Sequence, residues 1–312
     1  MVEGDGDQAD DMLMRTIWSA TSTTINVLEL LESGQDSLLF SSIATVVRPA
    51  PSSLHPIYKG PTIPPMREVE VWRMNALEVR DLVKAFGSTQ AVRGVSFEVA
   101  EGEIFGLIGP NGAGKTTTLR VISTLLQVTS GSVRVFGHDV TREADDVRRI
   151  ISYLPEDAGA YKNLTGVEYL TFIASFFRHG AERRAMVERG RVIADLGARL
   201  EDKVETYSKG MTRRLLVART LMVEPRLAIL DEPTSGLDVI NAQEIRALIK
   251  GYAREGTAVV LSSHNMLEVE LLCDRINLIN EGRIVEAGTP TELKAKHHAV
   301  NIEEVFSKVV SA

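Results

Sequence analysis

From Ala76 onward the apolar residues recur at short, regular periods, and upstream of it they do not. Leu77-Glu78-Val79-Arg80-Asp81-Leu82 alternates between apolar and polar, and so does the stretch 91–99. Both predict strands of an antiparallel layer, with Phe86 in the turn between them, followed by Gly87. The runs 104–108, 227–230 and 257–263 are apolar almost throughout, which predicts strands buried on both faces. Shorter strands are expected at 131–137 and 150–154, and a hairpin at 276–286 around Glu281-Gly282. Helical spacing predicts helices over 118–126, 139–149, 164–177, 181–196, 239–254, 290–296 and about 302–310. A further helix, capped by Ser208, is expected to run to about Val223.

Strands that alternate with helices imply a mainly parallel sheet with right-handed crossovers, hence an α/β fold. The helical stretch from about 156 to 207 interrupts that alternation and reads as an inserted subdomain. Ligands of such sheets bind at the carboxyl ends of strands. Gly109, Glu156, Asp231 and His264 all fall at predicted strand ends.

Residues 1–73 follow other rules. They hold five Lys/Arg against ten Asp/Glu, a Ser/Thr cluster at 21–24 and a proline-rich stretch at 49–65. Prolines at that density exclude helix and central strand. A short helix around Ile25–Leu31 is marginal alone. Three readings compete: a disordered extension, a translation start at Met66 or Met74, and a docking segment for a partner. The domain proper is expected over 74–312, with the hairpin and terminal helices at 276–312.

The 312 residues are 44% hydrophobic and 25% charged, with a net charge of −7. That composition supports a large core and gives no support for a nucleic-acid surface. One cysteine, Cys273, excludes an intrachain disulfide and a thiolate metal cluster, and its expected place is a small apolar position on a helix. No stretch is long and apolar enough to span a membrane, and the acidic first residues do not fit a signal peptide.

The chemistry concentrates in Gly109-Pro110-Asn111-Gly112-Ala113-Gly114-Lys115-Thr116-Thr117. A strand, Gly-x4-Gly-Lys-Thr and a helix in that order make a phosphate-binding loop. Glycines let successive N–H groups point inward, and the helix N-terminus adds a favourable field. Lys115 supplies charge for the β- and γ-phosphates, and the Thr116 hydroxyl suits Mg²⁺. Asp231-Glu232 ends a buried strand, where charge is costly without a partner, and a Mg²⁺ ion with a water would serve. Phe86 reads either as core or as a stacking platform for a purine ring.

With these pieces in order, and with Asp231-Glu232-Pro233-Thr234-Ser235-Gly236-Leu237-Asp238 among them, residues 76 to 296 resemble the ATP-binding subunit of ABC transporters. The resemblance implies a P-loop NTPase fold with a mainly parallel core sheet, an antiparallel β layer and an inserted helical subdomain. It implies ATP and Mg²⁺ as cofactors. Phe86 would stack on adenine, and Lys115 and the loop amides would hold the phosphates. Thr116, Asp231 and Glu156 would surround the metal. Glu232 would be the base or the group that orients the attacking water, and His264 would hold the γ-phosphate. Ser208, Gly210 and Met211 would face the ATP of a second copy, and Asp238 counts with the nucleotide-binding set.

Two positions depart from the family's pattern. Glu156 stands where the family has glutamine, and it adds negative charge near the γ-phosphate. Tyr207-Ser208-Lys209-Gly210-Met211 stands where the family has Leu-Ser-Gly-Gly-Gln, so Lys209 replaces a glycine and Met211 a glutamine. This variant, with the stretch 301–306, resembles the ABC-2 export branch. The implied assembly is two ATP-binding subunits, as homodimer or heterodimer, beneath a separate membrane-spanning permease. The implied location is cytoplasmic, peripheral on the inner face of the membrane, with no nucleic acid bound. A non-transport ABC ATPase on ribosomes or DNA is a rival reading, as is an ATP-binding regulator with weak turnover. Intact-mass analysis of natively expressed protein is expected to decide between the three readings of residues 1–73: a mass beginning at Met66 or Met74 identifies an internal start.

Overall fold

The computed structural model describes residues 75–311. The expectations for residues 1–73, including the helix around Ile25–Leu31 and the starts at Met66 and Met74, lie outside that range. In chain order come β1 (Asn75–Phe86), β2 (Thr89–Ala100), β3 (Ile104–Ile108), α1 (Lys115–Ile122), β4 (Ser130–Val135) and β5 (His138–Asp139). Then come α2 (Ala144–Ile150), β6 (Ile151–Leu154), α3 (Gly166–Ala174), α4 (Gly180–Ala194) and, after two 3₁₀ turns, α5 (Lys209–Leu221). The rest are β7 (Leu227–Asp231), α6 (Val239–Arg254), β8 (Ala258–Ser263), α7 (Met266–Leu272), β9 (Arg275–Asn280), β10 (Arg283–Gly288), α8 (Pro290–Lys296) and α9 (Ile302–Ser311).

The strands form a six-stranded sheet in the order β10-β9-β3-β8-β7-β6 and a four-stranded sheet in the order β2-β1-β4-β5. In the larger sheet β6, β7, β8, β3 and β9 run parallel, and only β10 is antiparallel. The smaller sheet is antiparallel throughout. The expected α/β fold is therefore present.

Side-chain alternation divides the six-stranded sheet between two cores. Ile104 and Ile108 of β3, Ala228 and Leu230 of β7, and Val259 and Leu261 of β8 pack with α3 to α9 on one face. Phe105 and Leu107, Leu227 and Ile229, and Ala258 and Val260 pack with α1, α2 and the antiparallel sheet on the other. This is the period of two expected when helices cover both faces. The two sheets meet at Phe97 of β2 and Phe105 of β3, whose rings stack with centroids 5.0 Å apart.

Several predicted elements shift, each for a local reason. Phe86 is not in the turn: it is the last residue of β1, paired with Thr89. The helix expected over 118–126 begins at Lys115 and ends at Ile122, because Thr124 takes a left-handed conformation that closes the last turn. The helix expected over 139–149 begins only at Ala144. Asp139 Oδ1 accepts from the N–H groups of Thr141 and Arg142, a side-chain turn that competes with helix. Helix α7 escapes the pattern because exposed Leu267 and Leu271 put apolar residues on its outer face as well, which blurs the helical period. Cys273 is not on a helix: it lies just past α7 in extended backbone, buried, and burial pushes its thiol pKa up. Among the described residues no helix is long and apolar enough to cross a membrane.

Phe105→Ala is expected to cost about 3–5 kcal/mol, from lost burial plus the cavity left between the sheets. Equilibrium unfolding in urea measures this; a loss below 1 kcal/mol would mean that the Phe97–Phe105 stack does not join the layers.

Candidate functional site

The loop after β3 is held from three sides. The Gly109 N–H donates to the Ser263 carbonyl at the end of β8, 3.3 Å away. A side chain on Gly109 would collide with the Ile279 carbonyl, so the loop can pass β9 only as glycine. Gly114 caps α1 at φ 103, a conformation that side chains rarely tolerate. The turn between β9 and β10 braces the loop: the Gly282 N–H donates to Ala113 O at 2.9 Å, and Gly282 O accepts from the Arg93 N–H at 2.7 Å. Lys115, Thr116 and Thr117 open α1, so their N–H groups have no partner within the helix and are available to an anion.

Above this loop lie the carboxylates of β7. Asp231 is fully buried and Glu232 is 4% exposed. The sequence leaves this pair without partners; the fold supplies them. Asp231 Oδ1 accepts from the Thr116 hydroxyl at 3.2 Å and from the Ser262 hydroxyl at 2.5 Å, and Oδ2 accepts from the Tyr153 hydroxyl at 3.3 Å. Burial, with Asp231 next to it, raises the Tyr153 pKa to about 12, so its proton stays available for donation. Glu232 Oε1 lies 2.8 Å from His264 Nδ1 and 3.8 Å from Lys115 Nζ. Lys115 also donates to Gly109 O at 2.7 Å and Pro110 O at 3.1 Å. Burial raises the Glu232 pKa above the ordinary glutamate value, against the pull of His264 and Lys115. Burial lowers the Lys115 pKa, opposed by Glu232, Asp231 and Glu156.

Glu232 holds φ 51, unusual for a residue with a side chain. That geometry turns its carboxylate out of the sheet line toward Lys115 and His264. Two groups fix it. Its N–H donates to Ser262 Oγ at 3.1 Å. Its carbonyl accepts from the buried Arg213 guanidinium, which also donates to Pro233 O at 2.7 Å, Asp231 O at 3.1 Å and Glu156 O at 3.3 Å. Arg213 thus ties the ends of β6 and β7 together from the face opposite α1.

A cleft of about 250 Å³ opens between these parts. Asn111, Gly112, Gly114, Lys115, Thr116 and Thr117 line it from the loop, with Glu156 and Glu232 facing them. Its charge and amides suit a polyphosphate. The hard oxygen donors of Thr116, Asp231 and Glu156 suit Mg²⁺. Half-exposed His264 reaches this group through Glu232. Phe86 is outside the cleft lining; it is 49% exposed, with Lys84 Nζ 4.9 Å from its ring centroid. Ser208, Gly210 and Met211 are not in this cleft either. Ser208 caps α5, accepting from the Met211 N–H, and Gly210 packs against Asn241. Asp238 caps α6, accepting from the Asn241 N–H at 3.0 Å.

Arg213, Tyr153 and Ser262 are the functional residues that the sequence reading missed. For Arg213 a signal exists: it shares a helical phase with Leu216 and Thr220 of α5, both buried, so its charge has to point inward. Nothing in the sequence marks Tyr153 or Ser262, whose partners lie 78 and 31 residues away.

Residues 92–235 match the ABC transporter family model. The chain is 41% identical over 224 residues to the daunorubicin/doxorubicin resistance ATP-binding protein DrrA of Streptomyces peucetius, covering 70% of this chain and 67% of that one. It is 36% identical over 232 residues to the Nod factor export ATP-binding protein I of Paraburkholderia xenovorans, covering 74% and 76%. The fold matches the solved ATP-binding subunit of an ABC transporter with a TM-score of 0.68 at 27% identity, over 75% of this chain and 99% of that one. It also matches a dimeric ATP-binding cassette in a post-hydrolysis state bound to ADP and Pi, with a TM-score of 0.62 at 25% identity, over 68% and 98%.

Arg213→Met is expected to destabilise the protein by about 3 kcal/mol or more, since it leaves several buried carbonyls without a donor. Urea unfolding reads the loss. Arg213→Lys is expected to recover only part of it, because one ammonium cannot span the carbonyls that the guanidinium reaches.

Proposed function

The chain belongs to the ABC transporter family of ATP-binding subunits, and from that membership we propose how its own residues divide the work. The protein binds and hydrolyses ATP to drive transport. In our reading the triphosphate lies in the cleft over Gly109–Thr117, with Lys115 and the amides of α1 on its phosphates. Thr116, Asp231 and Glu156 hold Mg²⁺, which neutralises phosphate charge when bound. Glu232 accepts the proton of the attacking water and His264 holds the γ-phosphate, a division supported by the 2.8 Å contact that sets both at one end of the cleft. The observation that carries this reading is the meeting of Lys115, Glu232 and His264 at one carboxylate oxygen.

Ser208, Gly210 and Met211, at the start of α5, lie outside the chain's own cleft, and beside them Val239 and Ile240 are 78% and 71% exposed at the start of α6. Both features support a dimer in which Ser208–Met211 of each copy closes over the other's ATP. Hydrolysis then reopens the dimer. A groove of about 430 Å³ between Tyr153 and the Ile173–Phe177 stretch, with Arg148 and Arg219 on its walls, supports docking of a segment from a separate membrane-spanning permease. The subunit then works on the cytoplasmic face of the membrane. Similarity to resistance and export proteins favours transport outward.

Glu232→Gln is expected to slow ATP turnover by a hundredfold or more and to trap an ATP-bound dimer, seen as a doubled mass in size-exclusion chromatography with light scattering. A Glu232→Gln protein that stays monomeric with saturating ATP overturns the dimer. The raised Glu232 pKa sets a sign for pH. The base is lost when protonated, so turnover falls on acidification at a pH above the ordinary glutamate range. A pH profile of kcat whose acid limb lies at or below that range contradicts the role.

A further inference from the structure

Among the positions that depart from the family's pattern, Glu156 and Lys209 carry opposite charges, and the fold puts them on one hollow. A second hollow, of about 400 Å³, lies beside the phosphate cleft, and both Glu156 and Lys209 line it. Glu156 is the residue that the two hollows share apart from the chain's interior, since it lines the phosphate cleft as well. Glu156 therefore stands on the wall between them, with the phosphate loop on one side and the hollow that Lys209 lines on the other.

Neither of these two charges has a partner in direct contact among the described residues, although Lys115 and Arg213 lie near enough to Glu156 to feel it. Among the described residues neither the Glu156 carboxylate nor the Lys209 ammonium enters an ion pair, and Lys209 Nζ rests against Gly236 instead. The second cation of the hollow, Arg213, is held in place by its hydrogen bonds to the carbonyls of Glu156, Asp231, Glu232 and Pro233, and makes none to the Glu156 carboxylate. Lys209 is also the first residue of α5, where a cation opposes the helix dipole and gains nothing locally. Lys209 carries its ammonium on a flexible four-carbon stem, so Nζ is free to leave Gly236. We propose that Lys209 is a positioning residue that pairs with Glu156 across this hollow and offsets the carboxylate's charge beside the triphosphate while no Mg²⁺ occupies the site. The inference rests on the phosphate cleft being the ATP site.

The pair makes Lys209 matter only while Glu156 is charged. ATP affinity of the full chain, measured by equilibrium dialysis in EDTA so that no metal neutralises the carboxylate, reads this directly. Lys209→Gln is expected to weaken ATP binding by about three- to tenfold, the size of one unscreened charge at partly exposed range. The same change made in a Glu156→Gln background is expected to weaken it less than twofold. Lys209→Arg keeps the charge and is expected to hold the parental affinity. In an Asp157→Asn background, with the neighbouring acid of the same hollow removed, the Lys209→Gln loss should persist in full. The loss should also shrink in 0.5 M salt. A thermal melt without nucleotide confirms that each variant folds.

A Lys209→Gln loss that survives undiminished in the Glu156→Gln background overturns the pair, and so does one that disappears with Asp157→Asn instead. Lys115→Ala separates this failure from a failure of the site. If Lys115→Ala abolishes ATP binding while Lys209 and Glu156 act independently, the ATP site stands and only the pair falls. If Lys115→Ala binds ATP as the parent does, the site and the pair both fall.

Discussion

The cost of burying two carboxylates side by side at the end of β7 governs the arrangement around them. Asp231 and Glu232 are both almost inaccessible to water, where an unpaired charge is unfavourable by several kcal/mol. The fold answers differently for each. Asp231 is stabilised by three hydroxyls, from Thr116, Ser262 and Tyr153, which satisfy it without cancelling its charge. Glu232 faces Lys115 and His264, groups that respond to charge. The first environment keeps a carboxylate fixed, and the second leaves one able to exchange a proton.

That division depends on the alternation of β7. Successive side chains of a strand point to opposite faces, so Asp231 follows Leu227 and Ile229 toward α1 and the antiparallel layer. Glu232 would face the other core if the strand continued. Its left-handed backbone ends the strand instead and turns the side chain toward the phosphate loop. Such a conformation costs about 1–3 kcal/mol and persists only where surrounding bonds determine it. The Arg213 guanidinium on one face and the Ser262 hydroxyl on the other are those bonds. Arg213 belongs to α5, whose N-terminus carries the Ser208–Met211 turn, so one helix both braces the backbone of Glu232 and carries the turn that we propose faces a second copy.

The local chain also explains why the loop sits still enough to bind an anion. Its amides are of use only if they converge, and convergence is imposed from outside by β9 at Gly109 and by the β9–β10 turn at Ala113. The hairpin near the C-terminus, remote in sequence, therefore braces the loop that lines the cleft, and the Arg93 N–H of β2 holds the same turn.

The linear sequence by itself determined the elements and the chemical inventory. Hydrophobic period marked the buried strands β3, β7 and β8, and α6 and α8 fell where helical spacing placed them, because burial on one or two faces leaves a periodic trace in the chain. Gly109–Thr117 and Asp231-Glu232 were legible for the same kind of reason: a phosphate loop and a strand-end carboxylate pair are local in sequence. Helix α7, apolar on its outer face as well, and the turn that Asp139 makes against helix, left no such trace. Only the tertiary structure decided which groups meet. Tyr153, Ser262 and Arg213 became part of the site because parallel strands bring the ends of β6, β7 and β8 side by side, and hydrogen bonds across that distance have no period to read. It likewise decided that Glu156 and Lys209, two isolated departures along the chain, look into one hollow, since their nearness arises from the packing of α5 against the end of β6.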